Sequence, residues 1–298
     1  MTGDKKRSGW PSIADLLVKE GPADVALIAA PMEAGSVTPG RCDLAPETIR
    51  NALRRFSTYD VETREEIELR LLDAGDIPVR GVMPADGFEI IRDRVAQCAA
   101  DHRLTILLGG NNAVTRPAAH ALGYTVDDVG LITLDAHFDL RDTDAGLLNG
   151  NPVRALLEDG LPGANICQIG ISPFANTAKM HDIAVDAGIG VFSMSEVKRA
   201  GIIAVLEAAL ARLAHCPAIM VDFDIDVIDR SQCPGAPGAR PGGMPVDMFF
   251  EAARFLGAER KVKLVDLTEF DPSLDAADIT ALTAGRWVAE TLVGFSRR

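Results

Sequence analysis

Residues 129–142 read VGLITLDAHFDLRD. The first six, Val129–Leu134, form a continuous apolar run. Such runs, unlike alternating ones, belong to strands covered on both faces, as in a parallel sheet flanked by helices. Directly past this strand stand Asp135, His137 and Asp139. In extended chain, positions two apart point the same way, so three ligand-capable side chains face one spot. In open parallel sheets, sites form just outside the carboxyl ends of strands.

Working outward, the same alternation runs through the chain. Strands are expected at 24–30, 67–72, 104–108, 166–171, 190–192, 218–223 and 262–267. Helices are expected at 45–56, 87–101, 117–122, 152–158, 175–187, 202–213, 246–255 and 279–293. There is no internal repeat, low-complexity tract or long linker. The expectation is an N-terminal extension over 1–22 and one α/β domain over 23–298.

Lys and Arg number 30 against 43 Asp and Glu, a net charge of −13, which argues against a phosphate-backbone binder. No apolar run approaches the ~20 residues that span a bilayer. The start, MTGDKKRSGWPSIADLL, has no apolar h-region or cleavage site, so the cytoplasm is the default location. Five scattered cysteines without a CxxC pair read as reduced and incidental.

Three further strand ends carry polar clusters: Gly109-Gly110-Asn111-Asn112, then Asp222, Asp224, Asp226 and Asp229, and finally Glu269 with Asp271. Asp224 and Asp226 share strand parity as Asp135 and Asp139 do. Four carboxylates cannot all stay ionised close together without a compensating cation. A carboxylate-rich, thiolate-free set with one imidazole favours Mn²⁺ over Zn²⁺ or copper. Two such ions ~3.5–4 Å apart make a standard hydrolytic site. Either cluster alone is equally compatible with a helix cap, a solvated turn or a Mg-phosphate site. His102, His120, His181 and His215 fall in helices or at helix ends and are not expected to ligate metal.

These motifs, in this order, resemble the ureohydrolases: arginase, agmatinase and formimidoylglutamase. The matching residues are Gly109–Asn112, Asp135-Ala136-His137-Phe138-Asp139, Asp222–Asp229 with the following CPGAPGARPGG, Glu269 in DLTEFDP, and the early GRCDLAPETIR. The resemblance implies a three-layer α/β/α fold with a mostly parallel central sheet, and two Mn²⁺ bridged by hydroxide. One ion would use Asp135, His137, Asp224 and Asp226, the other Asp135, Asp139, Asp224 and position 112. Asp139 would pass a proton to the departing nitrogen, and Glu269 would pair with a cationic amidinium. Asn149 falls where arginase-type members carry a substrate-side histidine. The HFDLR run, 137–141, looks most like formimidoylglutamases, which hydrolyse N-formimidoyl-L-glutamate to L-glutamate and formamide. That substrate carries two carboxylates, and Arg141 is the first candidate to meet them, with Arg154 and Arg240 behind it. By resemblance the partners are a small amidine or guanidine and further copies of the chain, as a trimer or hexamer.

The sequence also departs from the family. Asn112 stands where the family has a histidine ligand, and a carboxamide oxygen is a poorer ligand than imidazole. The family implies two ions, and Asn112 makes one the alternative. Asn111 replaces an aspartate, Asp222 a serine and Arg230 a proline. Asp222 shares strand parity with Asp224 and Asp226, and two readings are open: support of the site through Asn112, or a partnered core aspartate. The alternative functions are an agmatinase or other guanidine hydrolase, and a non-catalytic protein on this fold.

Overall fold

The computed structural model describes residues 9–123 and 125–298; the first eight residues of the expected extension lie outside the described residues. Eleven strands are found among the described residues. They are β1 (Leu17–Val18), β2 (Val25–Ala30), β3 (Tyr59–Asp60), β4 (Glu65–Glu66), β5 (Leu71–Asp76), β6 (Leu104–Gly109), β7 (Val129–Leu134), β8 (Ile166–Ile171), β9 (Gly190–Ser193), β10 (Ala218–Asp224) and β11 (Val262–Thr268). β3 and β4 form a small antiparallel hairpin. The other nine make one sheet in the order β1-β5-β2-β6-β11-β10-β7-β8-β9, parallel throughout.

The helices are α1 (Ala45–Ala52), α2 (Pro84–Asp101), α3 (Thr115–His120), α4 (Pro152–Glu158), α5 (Ala178–Asp186), α6 (Met194–Ala200), α7 (Ile202–Arg212), α8 (Val246–Ala258) and α9 (Ile279–Phe295). β2 shows how they are layered. Val25, Leu27 and Ala29 pack in one core with Ile49, Leu206, Phe249 and Trp287, from α1, α7, α8 and α9. Ala26, Ile28 and Ala30 pack in the other with Ile91, Ala118, Leu156 and Ala184, from α2 to α5. The two-residue side-chain period of one strand therefore feeds two helical layers. That is the three-layer α/β/α fold expected from the sequence.

Three readings need correction. The strand expected at 67–72 lies at Leu71–Asp76. Its acids are neutralised there: Asp73 pairs with Lys19 at 2.7 Å and Arg50 at 3.0 Å, and Asp76 with Arg50 at 2.7 Å. Acids neutralised by distant cations do not betray a strand to a hydropathy reading. Helix α6 went unread, although Ser193 and Glu196 form a capping box at its start. In addition, the helix expected at 175–187 begins only at Ala178, where the Thr177 hydroxyl accepts from Met180 N.

The sheet order positions the site. β6 and β7 follow one another in sequence, yet β11 and β10 lie between them. Four neighbouring strands, β6, β11, β10 and β7, thus open their carboxyl ends on one crevice. This is where an open parallel sheet binds its ligand.

Candidate metal centre

Each of those four strands delivers a polar cluster. Past β7, the Asp135 carboxylate accepts from the backbone N–H of His137 at 2.6 Å, which folds the chain back on itself. Asn176 pins this loop, accepting from Phe138 N at 2.9 Å and donating to Ala136 O at 3.0 Å. Asp139 then takes a left-handed conformation, φ 53°. Glu269, past β11, does the same at φ 61°. Such backbone conformations cost a non-glycine residue of order 1–3 kcal/mol and cluster at functional sites. Past β10, Asp224 caps a short turn by accepting from Asp226 N at 2.9 Å.

The acids converge. His137 Nδ1 lies 3.0 Å from Asp226 Oδ2 and 3.4 Å from Asp135 Oδ1. One donor atom from each of Asp135, His137 and Asp226 falls within 4.8 Å of the others. Asp224 and Asp139 are buried beside them. Burial, with Asp226 alongside, raises Asp135 to about 6. Burial, followed by neighbouring carboxylates, raises Asp139 and Asp224 well above the usual range. Burial would raise Asp226 too, but the His137 charge and hydrogen bond outweigh it and hold it low. The same pairing lifts His137 to about 12. So much buried negative charge around one imidazole fits a divalent cation, and the oxygen-rich donor set suits a hard one.

Asn112 is tied into the cluster in an unexpected way. Its amide nitrogen donates to Asp139 Oδ2 at 2.5 Å. Its amide oxygen accepts from the hydroxyls of Thr115 at 2.7 Å and Thr268 at 3.2 Å. Its backbone N–H donates to Glu269 Oε1 at 2.7 Å. Asn149 donates to the same oxygen at 2.9 Å, while its own oxygen accepts from Val37 N at 2.7 Å. Burial raises Glu269 to about 7, with these two donors pulling the other way.

Asp222 does not reach Asn112 directly. It is fully buried and lies in register with Asp266 of β11. Thr115 hydrogen-bonds both Asp266 and Asn112, two contacts the sequence reading missed. The one signal for Asp266 was a lone acid inside an apolar strand. Arg154 is also misplaced: it pairs with Glu158 at 2.6 Å and does not line the cavity. His120 pairs with Asp159, and His215 hydrogen-bonds Asn165, both away from the cluster.

A cavity of about 130 Å³ opens over the cluster. It is lined by the buried Asp139, Asp224, Asp226 and Glu269, by the half-buried His137 and Asn149, and by the exposed Arg141 and Arg240.

Comparison with known proteins agrees with this arrangement. The Arginase family model matches residues 23–294. A formimidoylglutamase from Halalkalibacterium halodurans is 33% identical over 274 residues, covering 90% of this chain and 86% of that protein. The structure of formimidoylglutamase from Bacillus subtilis superposes with a TM-score of 0.92 at 29% identity, covering 99% of this chain and 94% of that one. A Trypanosoma cruzi formiminoglutamase structure with Mn²⁺ shares the fold at a TM-score of 0.88 and 24% identity, covering 97% and 99%.

Proposed function

As a member of the Arginase family, matched over residues 23–294, the chain is a hydrolase, and we propose that it cleaves N-formimidoyl-L-glutamate to L-glutamate and formamide with manganese as cofactor. The observation that carries this reading is the bipolar cavity. Its floor is anionic and suits both cations and a cationic amidine, while Arg141 and Arg240 at its mouth suit an acidic tail. An amine-tailed guanidine such as agmatine would set its second positive charge against them.

Asp135, His137, Asp139, Asp224 and Asp226 would hold the metal, with no side-chain oxygen left over from Asn112. When bound, Mn²⁺ supplies Lewis acidity and lowers the pKa of water enough for attack near neutral pH. Glu269 orients the substrate. Its Oε1 is held by Asn112 N and Asn149 Nδ2, which leaves Oε2 to pair with the amidinium. Asp139 moves the proton. Asn112 fixes its Oδ2, so Oδ1 is the atom that takes a proton from water and returns it to the departing α-nitrogen. Asn149 acts on Glu269 and on the loop carrying Val37 more than as a lone substrate contact. On this reading the protein works in the cytoplasm as a trimer or hexamer, which light scattering on a sizing column checks.

The test is turnover of N-formimidoyl-L-glutamate, agmatine, arginine and 4-guanidinobutyrate by Mn²⁺-loaded protein. Glutamate and formamide from the first, well above urea from the others, is the expected result. Preferential release of urea from agmatine would replace this reading with the guanidine-hydrolase one. No turnover of any substrate with metal bound would leave a binding protein.

A further inference from the structure

A carboxamide carries an acceptor on one side and donors on the other. Asn112 can therefore offer the metal centre either an N–H or an oxygen, and its neighbours choose between them. Its nitrogen faces Asp139 Oδ2 at 2.5 Å. Its oxygen is turned onto the hydroxyls of Thr115 at 2.7 Å and Thr268 at 3.2 Å. Thr115 opens α3, Thr268 closes β11, and both are buried. A hydroxyl can serve an amide as donor or as acceptor, so its own partner has to set the polarity. For Thr115 that partner is Asp266, whose Oδ2 lies 3.1 Å from the hydroxyl oxygen. Burial raises Asp266 to about 7, and as an acid it donates to Thr115, whose own proton then goes to the amide oxygen. Gly109 makes room for the second hydroxyl. A Cβ there would stand 2.8 Å from Thr268 Cγ2 and 3.1 Å from Val114 Cγ2, so the Thr268 methyl rests on bare backbone.

We propose that Thr115 and Thr268 are positioning residues that turn the Asn112 oxygen away from the cavity, so that position 112 serves Asp139 as a donor and not the metal as a ligand. The inference rests on the metal-dependent hydrolase reading of this site and adds what fixes the state of its Asn112. A carbonyl oxygen suits a hard cation such as Mn²⁺, so the oxygen would ligate if it were free to turn. Without the two hydroxyls the oxygen loses its donors in a buried recess, which removes what favours its present direction. Metal binding and turnover should then change in opposite senses, because the centre gains a ligand while Asp139 loses its donor. A simple packing defect would weaken both.

The test compares the full-length wild type with the double variant Thr115→Val/Thr268→Val, which keeps both branched shapes and removes both hydroxyls, and with Thr115→Ser. Mn²⁺ affinity is measured by calorimetric titration of the metal-free protein, and turnover with N-formimidoyl-L-glutamate after Mn²⁺ loading. The double variant should bind Mn²⁺ about tenfold more tightly, while kcat falls about 10- to 100-fold and KM stays within about threefold. Thr115→Ser keeps the hydroxyl and should remain within about threefold of wild type in both measurements. Unchanged or weaker Mn²⁺ affinity in the double variant overturns the proposal, and so does a Thr115→Ser variant as impaired as the double one. If the double variant does not fold, Thr115→Val alone is measured, with the same signs expected and the same results decisive. If the wild type turns over no amidine, the reading of the reaction fails first. The orientation of Asn112 is then judged by Mn²⁺ affinity alone, by the same criterion.

Discussion

Asp139 and Asn112 are joined by a 2.5 Å hydrogen bond, and each was singled out from sequence for a different reason. The aspartate matched a motif and the asparagine broke one. Their contact gives the asparagine a task, holding Asp139 by an N–H, while its oxygen accepts from Thr115 and Thr268. Two predictions belong at this scale. Asp139→Asn should lower kcat by about 10²- to 10⁴-fold, the usual worth of a positioned proton carrier, with metal still bound by mass spectrometry. A variant within tenfold of wild type would remove Asp139 from proton transfer. Asn112→His should raise the number of Mn²⁺ ions retained through gel filtration, measured by plasma mass spectrometry. Two tightly held ions already present in the wild type would defeat the idea that position 112 weakens the site.

At the scale of elements, the closest approach in the site is backbone on backbone. Gly110, just past β6, donates to Ala30 O at 2.8 Å and accepts from Glu269 N at 2.9 Å, while Asn111 N donates to Met32 O at 2.8 Å. The ends of β2, β6 and β11 are drawn together at this one residue. A Cβ at Gly110 would collide with the Met32 backbone, which has no rotamer with which to give way. Gly110→Ala is therefore predicted to cost about 1–3 kcal/mol in a urea titration, as overpacking does. It should weaken Mn²⁺ binding as well, because Asn112 and Glu269 move with the strand ends. Unchanged stability would mean that the loops yield more easily than their hydrogen bonds imply. The Gly109-Gly110 pair was legible in the sequence as a strand end. Its reason was not, since Met32 lies far away along the chain.

The whole molecule carries its site as concentrated buried charge, and this sets a pH dependence. Without metal, burial raises Asp135 to about 6 and Glu269 to about 7, and the ion pair with Asp226 raises His137 to about 12. The native state then holds protons that an unfolded chain has released, above about pH 4 for the carboxyls and about 6.5 for the histidine. Stability of the metal-free protein therefore falls as pH rises through this window. Bound cations take the place of those protons. A chelator should thus lower Tm more at pH 7.5 than at pH 5.5. Acids held low by ion pairs, such as Asp43 beside Arg41 and Asp73 beside Lys19 and Arg50, contribute to both forms and cancel in that difference. A chelator effect that is equal at the two values, or larger at pH 5.5, would contradict the assignment.

The sequence by itself determined the α/β class and the strand ends that carry polar clusters, because apolar runs and two-residue parity are local properties of the chain; resemblance added Asp135, His137, Asp139, Asp224, Asp226 and Glu269 as the proposed site. It also carried Asn112 as an anomaly. Tertiary structure alone decided the rest. Inserting β11 and β10 between β6 and β7 brings residues from 110 to 269 onto one crevice. Lys19 and Arg50, distant in sequence, neutralise the acids of Leu71–Asp76, and the cavity is lined by Arg141 and Arg240 and not by Arg154, which pairs within its own helix with Glu158. The support of Asn112 by Thr115, Thr268 and Asp266 depends on strand register and helix placement. Local pattern records which side chains can serve, but the long-range pairing of the sheet settles which of them meet.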